Sequence, residues 1–202
     1  MSHPPIHQGS RPVAAGPQVR YDAVVIGLHW LLALLITATF GLGVYMTDLP
    51  VSPMRLRLYN WHKWAGVSIL ALSALRMLWR WGHPPPDLPA AAATSMSPWQ
   101  RTVFHATHRA MYLLFFAVPL TGWAYSSAAG FPVAWFGVLQ LPDFVPVNPD
   151  LAQDVFKPLH AGCAFVLAAF VALHVCAVLK HGWIDGADLL ARMWPARRRD
   201  AP

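Results

Sequence analysis

Four stretches of this chain, residues 23–46, 61–80, 105–125 and 159–179, are each apolar and long enough to cross a membrane, and histidines stand inside them. A helix rises about 1.5 Å per residue, so a hydrocarbon core about 30 Å thick takes about 20 residues. In that medium every backbone N–H and C=O must be bonded within the protein, which leaves helix as the form for each stretch. With 56% hydrophobic and 12% charged residues and a mean hydropathy of +0.40, the chain lacks the polar surface of a soluble domain. The expected fold is all-α: a four-helix transmembrane bundle with both termini cytoplasmic and a short C-terminal amphipathic helix.

The connections HPPPDLP after the second span, and PVNP running into NPD after the third, stop helices and punctuate a single domain. That domain is expected over residues 21–195, after a flexible cytoplasmic N-terminal tail (1–20) and before a basic cytoplasmic tail (196–202). The first span is too long for a signal-peptide core and follows a polar, proline-bearing tail, so it is expected to stay in the mature protein. Orientation follows the basic residues, which are retained on the cytoplasmic side. Arg11, Arg20, Arg76, Arg80, Arg101, Arg109, Lys180, Arg192, Arg197, Arg198 and Arg199 fall on the side of the termini, and Arg55, Arg57, Lys63 and Lys157 fall opposite. Both termini are thereby expected on the cytoplasmic side of a membrane crossed several times. The basic pI of 9.8 is accounted for by cations at membrane edges, where anionic headgroups lie, so nucleic acid is not an expected partner. Cys163 and Cys176 share one helix about 20 Å apart, beyond disulfide reach, and read as packing thiols.

The fourth span contains VFKPLHAGCAFVLAAFVALHVC, with His160 and His174. An imidazole away from water has two ring nitrogens that need partners. Fourteen residues bring a helix back to within about 40° of its starting direction and about 21 Å along its axis, so the two rings share a face at two depths. His29, in IGLHWLL, matches the depth of His174 near the cytoplasmic side, and His62, in YNWHKWAG, matches His160 near the outer side. Two neutral imidazoles facing across a gap suit the axial positions of a haem iron. Ala33, Gly66 and Ala164, one turn beyond three of these histidines, and Ala177, three residues after His174, leave room for a flat macrocycle. A single such histidine serves equally well as polar glue between helices; four at two matched depths favour haem. Zinc or copper would want more close ligands than two.

Together these segments resemble the bacterial cytochrome b561 family of compact four-helix membrane cytochromes. The resemblance runs from about residue 21 to 195 and rests on YDAVVIGLHWLLALL, WHKWAGVSILALSALRMLWR with the following PPP, HATHRAMYLLFFAVPLTGW, KPLHAGCAFVLAAFVALH and HGWIDGADLLARMWP. It implies two haem b groups with ligands on the first, second and fourth helices, at His29, His62, His160 and His174. Within the family the chain is most similar to the superoxide oxidase branch, which implies electron transfer from superoxide at the periplasmic face to ubiquinone. The alternative is a cytochrome b subunit without a substrate of its own, linking a dehydrogenase or hydrogenase partner to the quinone pool. The long outer connection with FPVAWFGVLQLPDF would supply its docking patch.

Arg55, Arg57 and Lys63 beside His62, with Lys157 before His160, would raise the encounter rate of a small anion such as superoxide; they also fit ordinary solvated charge at a membrane edge. Arg76, about a turn from the cytoplasmic end of the second helix, could pair with a haem propionate, or snorkel to headgroups. His181, seven residues beyond His174, is the first candidate for hydrogen bonding a quinone or relaying its protons, against a plain interfacial anchor. His108, with His105 and Arg109 nearby, could line the quinone site or hold propionates. The segment IDGADLLARMWP reads as the amphipathic helix, with Asp185, Asp188 and Arg192 on its polar face.

Overall fold

The structure, a computed structural model, describes residues 20–84, 86, 97–184 and 190–194. Among these are four long helices, α1 (Ala23–Thr47), α2 (Pro53–Gly82), α3 (Pro98–Ala128) and α4 (Lys157–Trp183), with a helical turn α5 (Leu190–Met193). A two-stranded antiparallel hairpin, β1 (Ala134–Trp135) with β2 (Leu139–Gln140), occupies the connection after α3.

Local chemistry sets where the helices begin. The Asp22 carboxylate accepts from the Val25 N–H at 2.9 Å and caps α1. Ser52 caps α2, and Ser97 with Gln100 forms a reciprocal capping box on α3. In both, a proline follows the cap, where its missing N–H costs nothing. These caps start α2 at 53 and α3 at 98 rather than at 61 and 105. Hydropathy marks only the part that suits hydrocarbon, whereas the cap decides where helix begins. A π-helical turn, Leu151–Phe156, precedes α4, with the Lys157 N–H reaching back five residues to the Ala152 carbonyl. The widened turn stands just before Pro158, which has no N–H to give and whose ring crowds the preceding turn.

Hydropathy and length alone qualify α1 and the continuous run Leu151–Trp183 as membrane spans, with mean hydropathies of 2.2 and 2.5 in their most apolar windows. Only 6% of the second window is buried within the protein, unlike the core helix of a soluble fold. Leu34, Leu113 and Phe165 face outward, 60% or more exposed; such a surface suits lipid and not water. The helices α2 and α3 do not meet the same measure; α2 carries Lys63, Arg76 and Arg80, and α3 carries Arg101 and Arg109 in its first half.

Each helix packs on the next in sequence, α1 on α2, α2 on α3 and α3 on α4, while α1 and α4 meet only lightly. His29 and His174 face each other across that loose seam, while His62 and His160 face each other from α2 and α4. At the other end of the chain, α5 is latched to the start of α1. The Trp30 indole donates to the Met193 carbonyl at 2.7 Å, and the Arg20 guanidinium donates to the Trp194 carbonyl. Arg192 is 3% exposed, donates to the Pro86 carbonyl at 3.2 Å and stacks over the Tyr21 ring. This corrects the expectation of a solvent-facing Arg192: the guanidinium fork finds acceptors and an aromatic face inside the latch. Asp185, Asp188 and Leu189 of the expected amphipathic helix, and both tails, lie outside the described residues.

Candidate haem-binding site

The folded chain brings the histidines together in the two combinations read from depth. The His62 and His160 ring centroids are 6.0 Å apart with planes at 86°, and those of His29 and His174 are 6.4 Å apart at 66°. Two metal–imidazole bonds of about 2.0 Å, plus about 1.2 Å from each ring nitrogen to its centroid, give about 6.4 Å for a trans pair. The inner separation matches that length and the outer one falls about 0.4 Å short of it, so both lie close to what a metal held between two imidazoles needs. His108 also approaches His174, but at 5.2 Å between centroids, too close for such a pair. No group of three or more His, Cys, Asp or Glu side chains among the described residues is arranged to hold a bare metal ion.

The outer pair is held by small residues on neighbouring helices. A Cβ on Gly43 of α1 would stand 3.0 Å from His62 Cε1, and one on Gly122 of α3 would stand 2.9 Å from His160 Cε1. Any side chain there would push the ring. His160 Nδ1 donates to the Val118 carbonyl at 3.0 Å, with the Thr121 hydroxyl at 3.4 Å. This sets the tautomer and leaves Nε2 with a free lone pair directed away from α3, the arrangement of a ligating histidine. Pro119 lies beside that carbonyl and interrupts the α3 hydrogen-bond ladder. His62 Nδ1 is buried without a hydrogen-bond partner. Both rings line a cavity of about 250 Å³, walled by Phe40, Phe115 and Leu167 and bordered by Gly66 and Ala164. An apolar cavity with two imidazoles in its wall fits a largely apolar group that binds through its metal.

The inner pair has a polar neighbourhood. His108 Nδ1 donates to the Phe104 carbonyl at 2.7 Å. The Arg76 guanidinium lies over the Tyr112 ring at 5.4 Å, its charge bears on both His29 and His174, and its buried Nε has no hydrogen-bond partner. A buried, unpartnered guanidinium donor beside an imidazole pair fits an anionic substituent on a bound group. Arg80 donates to the Tyr112 hydroxyl at 3.1 Å. Outside the membrane, Asp22 accepts from the Val25 N–H and from the Trp79 indole at 3.3 Å, joining the start of α1 to the end of α2. The Val25 bond is the main cause holding its carboxyl below the usual range.

Other candidates divide. Arg55 donates to the Tyr59 hydroxyl, Lys63 to the Phe131 carbonyl and Lys157 to Gln153, all neutral acceptors, and Arg57 is exposed. Asp143 accepts from Ser127 at 2.8 Å. His181 sits in the last turn of α4 with Lys180, while His108 is the residue brought against His174. His105 and Arg109 are exposed on α3. Sequence reading missed Gly43, Gly122 and Val118. A proline inside the third span with TGW just after it was the available signal for two of them.

An apolar helical bundle with imidazoles paired inside it defines a class, the membrane electron-transfer cytochromes. The chain belongs to the prokaryotic cytochrome b561 family, whose profile matches residues 20–196. Members of that family are membrane proteins that bind haem b. The chain is 32% identical over 176 residues to cytochrome b561 homolog 2 of Escherichia coli (strain K12), covering 86% of this chain and 90% of that relative. It is 30% identical over 179 residues to a probable superoxide oxidase, CybB, of Yersinia pestis, covering 89% and 98%. To cytochrome b561 homolog 1 of Escherichia coli (strain K12) it is 26% identical over 181 residues, covering 89% and 99%.

Proposed function

We propose that this protein is a superoxide:ubiquinone oxidoreductase of the bacterial inner membrane. Its four long helices all cross the bilayer with both termini cytoplasmic, and it carries two haem b groups. The observation that carries the haem assignment is the spacing of the two histidine pairs, 6.0 and 6.4 Å between centroids. The likeness to a probable superoxide oxidase supports the substrate. Haem b held by two imidazoles supplies one-electron transfer with no open coordination position for an oxygen species.

His62 and His160 hold the outer group, and His29 and His174 the inner. The Val118 carbonyl keeps the proton of His160 on Nδ1, so Nε2 is the ligating atom. Gly43 and Gly122 let the two outer rings lie against their helices. Arg55, Arg57, Lys63 and Lys157 form a positive rim at the outer face that attracts superoxide, with the Asp143 carboxylate offsetting part of the Lys63 charge. Arg76 offers its unpartnered Nε to a propionate. His108 and His181 are the candidate groups for hydrogen bonding ubiquinone and delivering its protons near the cytoplasmic side.

Stopped-flow mixing of superoxide with the oxidised protein tests the reading. Rapid appearance of the reduced b-type spectrum is expected, slowing as salt screens the rim. Absence of reduction by superoxide would overturn the substrate, and a rate indifferent to salt would overturn the steering role.

A further inference from the structure

The β1–β2 hairpin lies alongside α2, in the part assigned to the membrane. The Trp64 indole donates to the Ala134 carbonyl at 2.6 Å, and the Trp135 indole donates to Ser68 Oγ at 3.2 Å. Ser68 is seven residues inside the hydrocarbon-compatible stretch that starts at residue 61, about 10 Å of helical rise. Within the hairpin Gly137 N bonds to the Ala134 carbonyl, Val138 N to the Trp135 carbonyl and Leu141 N to the Val133 carbonyl, which reduces the number of backbone groups left for solvent.

The tip points to the same environment. Phe136 and Gly137 have φ of 51° and 73°, left-handed positions in the three-residue tip between the paired Trp135 and Leu139, where an aqueous hairpin favours glycine, asparagine or aspartate. Here a phenylalanine occupies the left-handed position, a strained backbone for an aromatic residue. Its ring packs against Trp64 and Trp135. Val138 is 91% exposed, Phe136 57% and Leu139 53%, and none of these is polar.

We propose that this hairpin is a membrane-inserted anchor whose tip, Phe136 to Leu139, sits among the acyl chains of the outer leaflet. The inference rests on α2 crossing the membrane. Insertion gives the rim a fixed frame, because the hairpin segment receives the hydrogen bonds of Lys63 and Trp64, the two residues that follow His62.

The test uses the full-length protein with Cys163 and Cys176 replaced by serine, in phosphatidylcholine–phosphatidylglycerol vesicles. A nitroxide label is placed singly through Val138→Cys, Leu34→Cys or Asp150→Cys. Leu34, on the outward face of α1, is the embedded reference, and Asp150, on the outer connection, is the aqueous one. The label at 138 is expected to collide with oxygen several-fold more often than with a water-soluble nickel chelate, as at 34 and opposite to 150. A label at 138 that behaves like the one at 150 overturns the anchor while leaving the bundle embedded. Low access to both reagents at 138 means that protein covers the tip, which also overturns it. An aqueous label at 34 instead sinks the transmembrane reading itself. Retention of the haem spectrum in each variant shows that the fold is intact.

Discussion

Replacing Gly122 by alanine places a methyl group 2.9 Å from His160 Cε1 and 3.1 Å from its Nδ1. Ordinary carbon contact begins near 3.5 Å, so ring and helix must separate by about 0.6 Å. The ring has little freedom to retreat, because its Nδ1–H is bonded to the Val118 carbonyl of the same helix at 3.0 Å. Overpacking of this kind costs about 1–3 kcal/mol, and loss of the hydrogen bond about 0.5–1.5 kcal/mol. Alanine returns up to about 1 kcal/mol in helix propensity. The net loss of about 0.5–3.5 kcal/mol corresponds to about 2- to 400-fold weaker occupancy of the outer site. The comparison variant is Gly162→Ala, two residues beyond His160, where a Cβ meets nothing within 4 Å. Haem content per protein and a redox titration of the reduced b band are measured for both. Gly122→Ala is expected to lose haem toward half and to lose or shift one of two redox components, with Gly162→Ala unchanged. If the two variants match in haem content and potentials, the glycine does not hold the ring as described.

Single His→Ala variants should group by spectrum and haem count: His29→Ala and His174→Ala remove one haem, His62→Ala and His160→Ala the other. Any crossing between those groups contradicts the pairing. Replacing Lys63 and Lys157 together by glutamine should slow reduction by superoxide about tenfold at low salt, the lower end of electrostatic steering, and flatten the salt dependence in stopped flow. Asp22→Ala should cost about 1 kcal/mol by thermal melting at pH 7, with Asp22→Asn close to wild type. Because hydrogen bonding lowers the Asp22 carboxyl pKa in the fold, that stabilisation is complete above the ordinary carboxylate range. It fades as pH falls through the lowered value, so the gap to Asp22→Ala should narrow only in acid.

The helical class, the approximate spans and the histidine pairing were legible because each follows from a local rule. Hydropathy over about 20 residues marks what lipid tolerates. A fixed rise per residue, counted from the ends of the apolar stretches, matches His29 with His174 and His62 with His160, the combinations whose rings approach in the fold. Boundaries were less legible: Ser52 and Ser97 start their helices beyond the apolar stretch, and periodicity carries no trace of a cap. Arg192 was assigned to a polar face because composition is blind to acceptors such as the Pro86 carbonyl, 106 residues away in sequence.

By itself the sequence determined that the chain is a helical membrane protein, and which imidazoles stand at corresponding positions along their apolar stretches. Only the tertiary structure decided which nitrogen of His160 is left free, that Gly43 and Gly122 are the residues that admit the outer rings, and that His108 joins the inner pair. Depth is a property of one helix and can be counted along it. The contact of a ring with a neighbouring helix depends on how two helices are rotated and how closely they approach, which no single segment encodes.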